Sequence, residues 1–186
     1  MIFIKIGVKE MLYGALLTSL ALLIPLVFRG WLQIYVPPFS ATVGSHVPTM
    51  LAMFISPWVA VFVGLGSTLG FLLTLGPVIA ARASIHIGLG LIGALLFRRG
   101  FKPWQVLLLT APIHAAGESL VVMPFGFALY QALVVVGIGT LLHHALDSGV
   151  SLVLYAALDK AGMPLGNLIQ KGPSQPLPLQ TGRSKI

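Results

Sequence analysis

Residues 78–97 read VIAARASIHIGLGLIGALLF, a run in which Arg82 is the only permanent charge. A helix crosses the hydrocarbon core of a bilayer with about 20 mostly apolar residues. This run has that length. It follows a Gly76-Pro77 break and stops at Arg98-Arg99-Gly100. An apolar helix of this kind with a buried cation reads as one span of a membrane protein.

Working outward, five further runs qualify: about 11–28, 46–57, 58–75, 104–122 and 140–159. The second and third are short and meet at Ser56-Pro57. Proline disfavours helix at the residue before it and suits the first helical position, so Pro57 opens the third span. The stretch from Met123 to Gly139 is apolar but punctuated by Pro124, Gly126, Gly137 and Gly139. It reads equally as an extension of helix five, a membrane-buried loop or a re-entrant segment. The first run follows Lys5 and Lys9 like a signal peptide. It is long enough to span and lacks a small-x-small cleavage site, so it reads as a retained helix.

Composition supports this. The chain has 186 residues, 57% hydrophobic and 8% charged, with mean hydropathy +0.99. Soluble domains carry roughly 25% charged residues. There is no cysteine, which excludes disulfides, Cys-ligated zinc and thiol catalysis. The pI near 10.2 does not indicate nucleic acid, because the basic residues form no aromatic-laced stripe. In a membrane protein they mark the cytoplasmic side. With both ends inside, Lys5, Lys9, Arg98, Arg99, Lys102, Lys160, Lys171, Arg183 and Lys185 are cytoplasmic, Arg29 alone is outside, and Arg82 lies within a span. The expectation is an all-α integral membrane protein with six transmembrane helices and both termini cytoplasmic. Residues 1–171 form one membrane domain and 172–186, rich in Pro, Gln and Ser, a flexible cytoplasmic tail.

That topology sorts the polar residues by depth. His46 begins span two at its outer end. Arg82 lies about four residues into span four, roughly 6 Å deep, and His86 one turn deeper on the same face. His114 is near the middle of span five, with Glu118 one turn further out. His143, His144 and Asp147 occupy the outer half of span six. From span two onward, the ionisable groups within a span fall in the outer half, apart from Asp159 at the inner end of span six. Such groups are costly in a bilayer and mostly mark substrate or ion pathways. One polar cavity opening outward accounts for those in the outer half.

Plainer roles compete at each position. Arg82 can snorkel to the outer interface. Glu118 and Asp147 can be buried structural partners of Arg82. His46 can cap its helix. His143 and His144 point about 100° apart; His144 shares a face with Asp147 and is the stronger candidate for the cavity. The loop Arg29–Gly44, with Trp31, Gln33, Tyr35, Pro37, Pro38, Ser40 and Thr42, suits either a stiff lid or an interfacial aromatic belt. Small-residue faces occur on helix one (Gly14-xxx-Thr18, Ala15-xxx-Ser19), helix three (Gly64, Gly66, Ser67, Gly70) and helix four (Gly88, Gly90, Gly93, Ala94). Internal packing explains the last two; on helix one a face for another protein competes with it.

No GxxxxGK[ST], HExxH or GxSxG motif occurs, so the chain does not bind ATP as a P-loop protein does and lacks these hydrolase signatures. No internal repeat is evident, which argues against a self-sufficient alternating-access carrier.

The segment SHVPTMLAMFISP at 45–57, then GSTLGF at 66–71 and RASIH at 82–86, resembles the substrate-binding S component of energy-coupling factor (ECF) vitamin transporters. The likeness covers roughly residues 10–160 and points to the niacin-type subgroup, with hydroxymethylpyrimidine and pyridoxine types related. The resemblance implies that the chain captures a vitamin on the outside of a prokaryotic cell membrane. It then docks on a transmembrane coupling subunit (EcfT) driven by two ATPase subunits (EcfA and EcfA'), topples, and releases its cargo inside. ATP is used by the partners, and no cofactor belongs to this chain. Docking uses small residues on helix one, here Ala15 and Ser19, with serine in place of the family's second alanine.

The reading is therefore a solute-binding subunit without covalent chemistry, its site drawn from His46, Arg82, His86, His114, Glu118, His144 and Asp147. For nicotinate, Arg82 pairs with the carboxylate, His86 and His144 meet the ring, and Glu118 and Asp147 accept hydrogen bonds or balance Arg82. For a neutral pyridine or pyrimidine alcohol, Arg82 pairs with Glu118. The main rival is uptake of Ni2+, Co2+ or Zn2+ by the histidines, against which Arg82 counts by repelling a cation. A membrane enzyme and a structural scaffold are further alternatives.

Overall fold

Proline and glycine set most of the helix starts. The computed structural model describes residues 7–28, 30–37 and 39–166. The tail 172–186 lies outside the described residues, as do Lys5, Arg29, Pro38, Lys171, Arg183 and Lys185. Six α-helices run in chain order: α1 Val8–Val27, α2 Val47–Met53, α3 Pro57–Leu75, α4 Pro77–Arg98, α5 Pro103–Val122 and α6 Gly139–Lys160. Three of them open on proline, whose missing N–H is one that a helix start leaves unpaired in any case. Ser56 caps α3 by accepting the Val59 N–H at 3.3 Å. Gly76, at φ 83°, makes the turn between α3 and α4 in a conformation that favours glycine.

Among the described residues, five helical segments are long and apolar enough to cross a bilayer: α1, α3, α4, the stretch Pro103–Phe125, and the stretch Gln131–Lys160. The chain is a multi-pass, almost entirely helical membrane protein. The expected second span, 46–57, is corrected: α2 has 7 residues, about 10 Å of helix against a hydrocarbon core of about 30 Å. The rest of that passage is extended. Strands β1 (Gln33–Val36) and β2 (Phe39–Thr42) form an antiparallel hairpin with Gln33 opposite Thr42 and Val36 opposite Phe39. All four residues of β2 are buried, and β1 is mostly exposed. Every residue of α2 is buried, and Met50, Met53 and the following Phe54 and Ile55, all fully buried, anchor the apolar core.

Of the three expected courses for residues 123–139, extension of helix five holds only for Met123–Phe125. Met123–Phe125 is one 3-10 turn, Gly126 ends it at φ 87°, and Gln131–Ile138 is π-helical and runs directly into α6. The result is one 30-residue helical segment, Gln131–Lys160. The glycines that resembled breaks serve close packing instead. A Cβ on Gly137 would meet Ser119 Oγ at 2.9 Å, and one on Gly139 would meet the Phe39 ring at 2.8 Å.

Small residues also fix helix directions. Gly14 of α1 faces Val59 of α3, Gly66 faces Thr18, and Gly70 faces Leu22 and Pro25. Numbers rise together, so α1 and α3 are parallel. Gly64 packs on the His86–Ile87 backbone and Gly90 on Ala60, so α3 and α4 are antiparallel. Arg82 with Glu118 and His86 with His114 make α4 and α5 antiparallel. Glu118 with Thr140 and His114 with His144 do the same for α5 and α6. The segment between α1 and α3 therefore returns through the bundle, half as hairpin and half as α2. The polar residues gather where the extended half gives way to helix.

Candidate substrate pocket

Arg82 is 4% exposed, so it does not snorkel. It sits in an apolar helix, where a guanidinium is tolerated only with partners. Its Nε donates to Glu118 Oε2 at 3.0 Å, and Nη2 donates to the same oxygen and to the Ser40 carbonyl at 3.3 Å. Its Cζ lies 5.1 Å from the centre of the Phe39 ring, a cation–π contact. One guanidinium thus ties α4, α5 and the buried strand β2 together. Thr140 Oγ1 donates to Glu118 Oε2 at 2.6 Å, adding the last helix.

Asp147 is not a partner of Arg82 in any hydrogen bond or ion pair described. Its Oδ1 accepts the Gly44 N–H at 2.8 Å and its Oδ2 accepts the His46 N–H at 3.0 Å. These amides stand at the entry to α2, where helix geometry supplies no partner. In a bilayer, irregular backbone survives only when such groups are satisfied within the protein. His143 completes this seam, with Nε2 donating to the Thr42 carbonyl at 3.1 Å and lying 3.2 Å from Asp147 Oδ2.

His46 is 4% exposed and is surrounded by other imidazoles. Its ring centre lies 4.7 Å from that of His86, 4.6 Å from His114 and 4.3 Å from His143. His46 holds the N-cap position of α2 but makes no capping hydrogen bond through its side chain. Its Nδ1 comes within 3.1 Å of Asp147 Oδ2, yet not in an orientation that makes a hydrogen bond. His86 Nδ1 shares a hydrogen bond of 3.0 Å with Ser67 Oγ.

All seven expected site residues therefore converge. The structure corrects the weighing of the histidine pair: His143 faces the cavity and His144 stands behind His114. His144 Nε2 donates to the Leu107 carbonyl at 2.9 Å, and its Nδ1 is 3.0 Å from His114 Nδ1. The i,i+4 relation of His143 to Asp147 prevails over the i,i+3 relation of His144. A cavity of about 20 Å3 remains between these groups, lined by Ser40, Thr42, Ser45, His46, Phe71, Ile79, Arg82, Ala83, His86, Glu118 and His143. Sequence reasoning gave no site role to Phe39, Ser45, Ser67 or Thr140. Ser67 and Thr140 were visible as polar residues in apolar helices; Phe39 and Ser45 carried no signal. Trp31 and Tyr35, the aromatics of the expected lid, are 88% and 62% exposed and do not cover the pocket.

The two small-residue stripes of α1 differ in exposure, although both border one groove. Gly14 and Thr18 pack on α3. Ala15 and Ser19 are exposed and line an open groove of about 440 Å3 together with Met11, Trp58 and Phe62.

Five long apolar helical segments around a buried, histidine-rich polar pocket define a membrane protein built to hold something small and polar. No family model matches the chain, and no solved structure matches it at a significant level. The niacin transporter NiaX of Lactococcus lactis subsp. cremoris (strain MG1363) is 34% identical to it over 174 residues, covering 84% of this chain and 78% of that protein. The chain belongs to this niacin-transporter family, the niacin-type S components of ECF transporters. It is a transport protein and not an enzyme.

Proposed function

We propose that the chain captures niacin, pyridine-3-carboxylate, from the outer side of a prokaryotic cell membrane as the S component of an ECF importer. The observation that carries this reading is Arg82, a buried guanidinium on the wall of a cavity, in a chain of the niacin-transporter family. A carboxylate from the ligand replaces Glu118 or the Ser40 carbonyl on Arg82 in a charge-assisted, bidentate contact. The ring then lies among His46, His86 and Phe71.

The cavity of about 20 Å3 has room for about one water molecule and not for a six-membered ring. The pocket therefore opens to admit its ligand. Strand β2 supplies Ser40 and Thr42 to the wall and is held by side-chain hydrogen bonds from Arg82 and His143, so the β1–β2 hairpin is the part that moves.

Topology agrees with an outward opening. Parallel α1 and α3 support a reading in which the hairpin and α2 make one crossing between them, for six crossings with both termini on one side. Lys and Arg place that side in the cytoplasm. The groove that contains Ala15 and Ser19 is the docking face for EcfT, and the ATPase subunits EcfA and EcfA' supply ATP hydrolysis.

Mass spectrometry of small molecules released from purified, denatured protein tests the reading. Niacin is the expected ligand. Recovery of hydroxymethylpyrimidine or pyridoxine keeps the S component and overturns the niacin assignment. If none is recovered and added niacin does not bind, the reading fails.

A further inference from the structure

We propose that His46, His86, His114 and Glu118 form a binding site for one divalent transition-metal cation of the Zn2+ type at the inner wall of the pocket. This goes beyond niacin capture and does not depend on it.

Hydrogen-bond accounting leads there. The Leu107 carbonyl can only accept, so His144 Nε2, 2.9 Å away, carries a proton. Neutral His144 then presents a lone pair at Nδ1, and His114 Nδ1 must be the donor across their 3.0 Å contact. Neutral His114 is left with a lone pair at Nε2, which faces Glu118 Oε1 at 3.2 Å. The carboxylate cannot donate there, because Arg82 and Thr140 donate to its other oxygen and hold it ionised. Two acceptors face each other in a buried site, and a cation belongs between them.

Two more nitrogens point the same way. His86 Nε2 is buried, has no hydrogen-bond partner among the described residues, and lies 3.8 Å from the same Glu118 Oε1. A ring nitrogen of His46 joins them, and all four donor atoms lie within 4.8 Å of one another. Bonds of about 2.0–2.1 Å to a tetrahedral ion put its ligands about 3.3 Å apart. The separations of 3.2 and 3.8 Å straddle that value.

The supporting shell fits as well. Metal-bound histidines use their second ring nitrogen to bond an outer partner that fixes the ring. His114 does so through His144, and His86 through Ser67. Three imidazoles and one carboxylate suit Zn2+, Ni2+ or Co2+. Arg82, which weighs against a cation in the sequence, holds the opposite oxygen of Glu118, so the carboxylate stands between the two charges. The neighbouring triad of His46, His143 and Asp147 is less suited, because His143 Nε2 and both Asp147 oxygens are already engaged.

The full chain, purified in detergent with a histidine-free tag and stripped with chelator, is titrated with Zn2+ and analysed for bound metal. One Zn2+ per chain is expected. His86→Ala should weaken Zn2+ binding by more than about 10-fold, the least expected for a direct ligand when outer-shell partners cost about 10–100-fold. His143→Ala, which removes a member of the neighbouring triad and no ligand of this site, should cost less than His86→Ala. Loading the wild-type protein with Co2+ should give the intense visible bands of a tetrahedral ion, which decides the matter if His86→Ala does not fold. No retained Zn2+, equal loss in His143→Ala, or an octahedral Co2+ spectrum would overturn the site and leave a proton between His114 and Glu118. Niacin binding, measured on the same stripped protein, reports separately on the proposed function.

Discussion

Arg82 on α4 and Glu118 on α5 are 36 residues apart in the chain, and Arg82 Nε donates to Glu118 Oε2 at 3.0 Å in the protein interior. The same guanidinium donates to the Ser40 carbonyl of the hairpin. The pair thus links the helices to the hairpin, and on the proposed reading a ligand carboxylate would compete with Glu118 for Arg82.

Arg82→Ala should therefore separate two ligands. A hydrogen bond to a charged group contributes about 1.5–3 kcal/mol, roughly 10- to 150-fold in Kd. Nicotinate should lose that much affinity and neutral nicotinamide little, as read by calorimetry. Equal loss for both removes the carboxylate from Arg82.

Glu118→Ala leaves a buried guanidinium without its main counter-charge, which costs about 3–5 kcal/mol. The melting temperature in detergent should fall clearly. Arg82→Met combined with Glu118→Met should recover much of the loss, because an apolar pair leaves no buried charge. A double variant as unstable as the single one would show that shape, not charge, sets the cost.

Asp147→Ala removes the acceptor for the Gly44 and His46 amides. Hydrogen exchange across 43–47 should quicken by about 5- to 150-fold, from about 1–3 kcal/mol of unsatisfied backbone. Exchange in α3, away from this seam, should be unchanged. Unchanged exchange at 43–47 would mean that the hairpin is held mainly by Arg82 and His143.

Two glycines test helix contact. A Cβ on Gly64 would lie 2.8 Å from the Ile87 backbone, whereas one on exposed Gly88 meets nothing within 4 Å. Gly64→Ala should cost about 1–3 kcal/mol, and Gly88→Ala should be neutral or stabilising by up to about 1 kcal/mol. Equal melting temperatures would contradict the close α3–α4 approach.

Ser19→Trp fills the open groove on α1 far from the histidines. Niacin binding by the purified chain should stay within about twofold, since surface changes usually cost no more than about 0.5 kcal/mol. Cellular uptake and co-purification with EcfT should be lost. Normal uptake would place docking elsewhere.

The sequence by itself determined the membrane class, the positions of the long helices to within a few residues, and the set of polar residues that meet. Apolar length and proline position fix a spanning helix locally, and ionisable groups in a bilayer have to find one another. Three things were decided only by tertiary structure. The segment between α1 and α3 is half extended, because β2 finds β1 and because Asp147, 103 and 101 residues beyond Gly44 and His46, satisfies the amides that helix would have paired. The stretch 131–138 joins the last helix in π form, because Gly137 and Gly139 pack against Ser119 and Phe39. His143 faces the cavity and His144 lies behind it, because the Leu107 carbonyl and His114 capture the latter ring. In each case a partner distant in the chain chose between local alternatives of similar energy, and spacing along one helix carries no record of that partner.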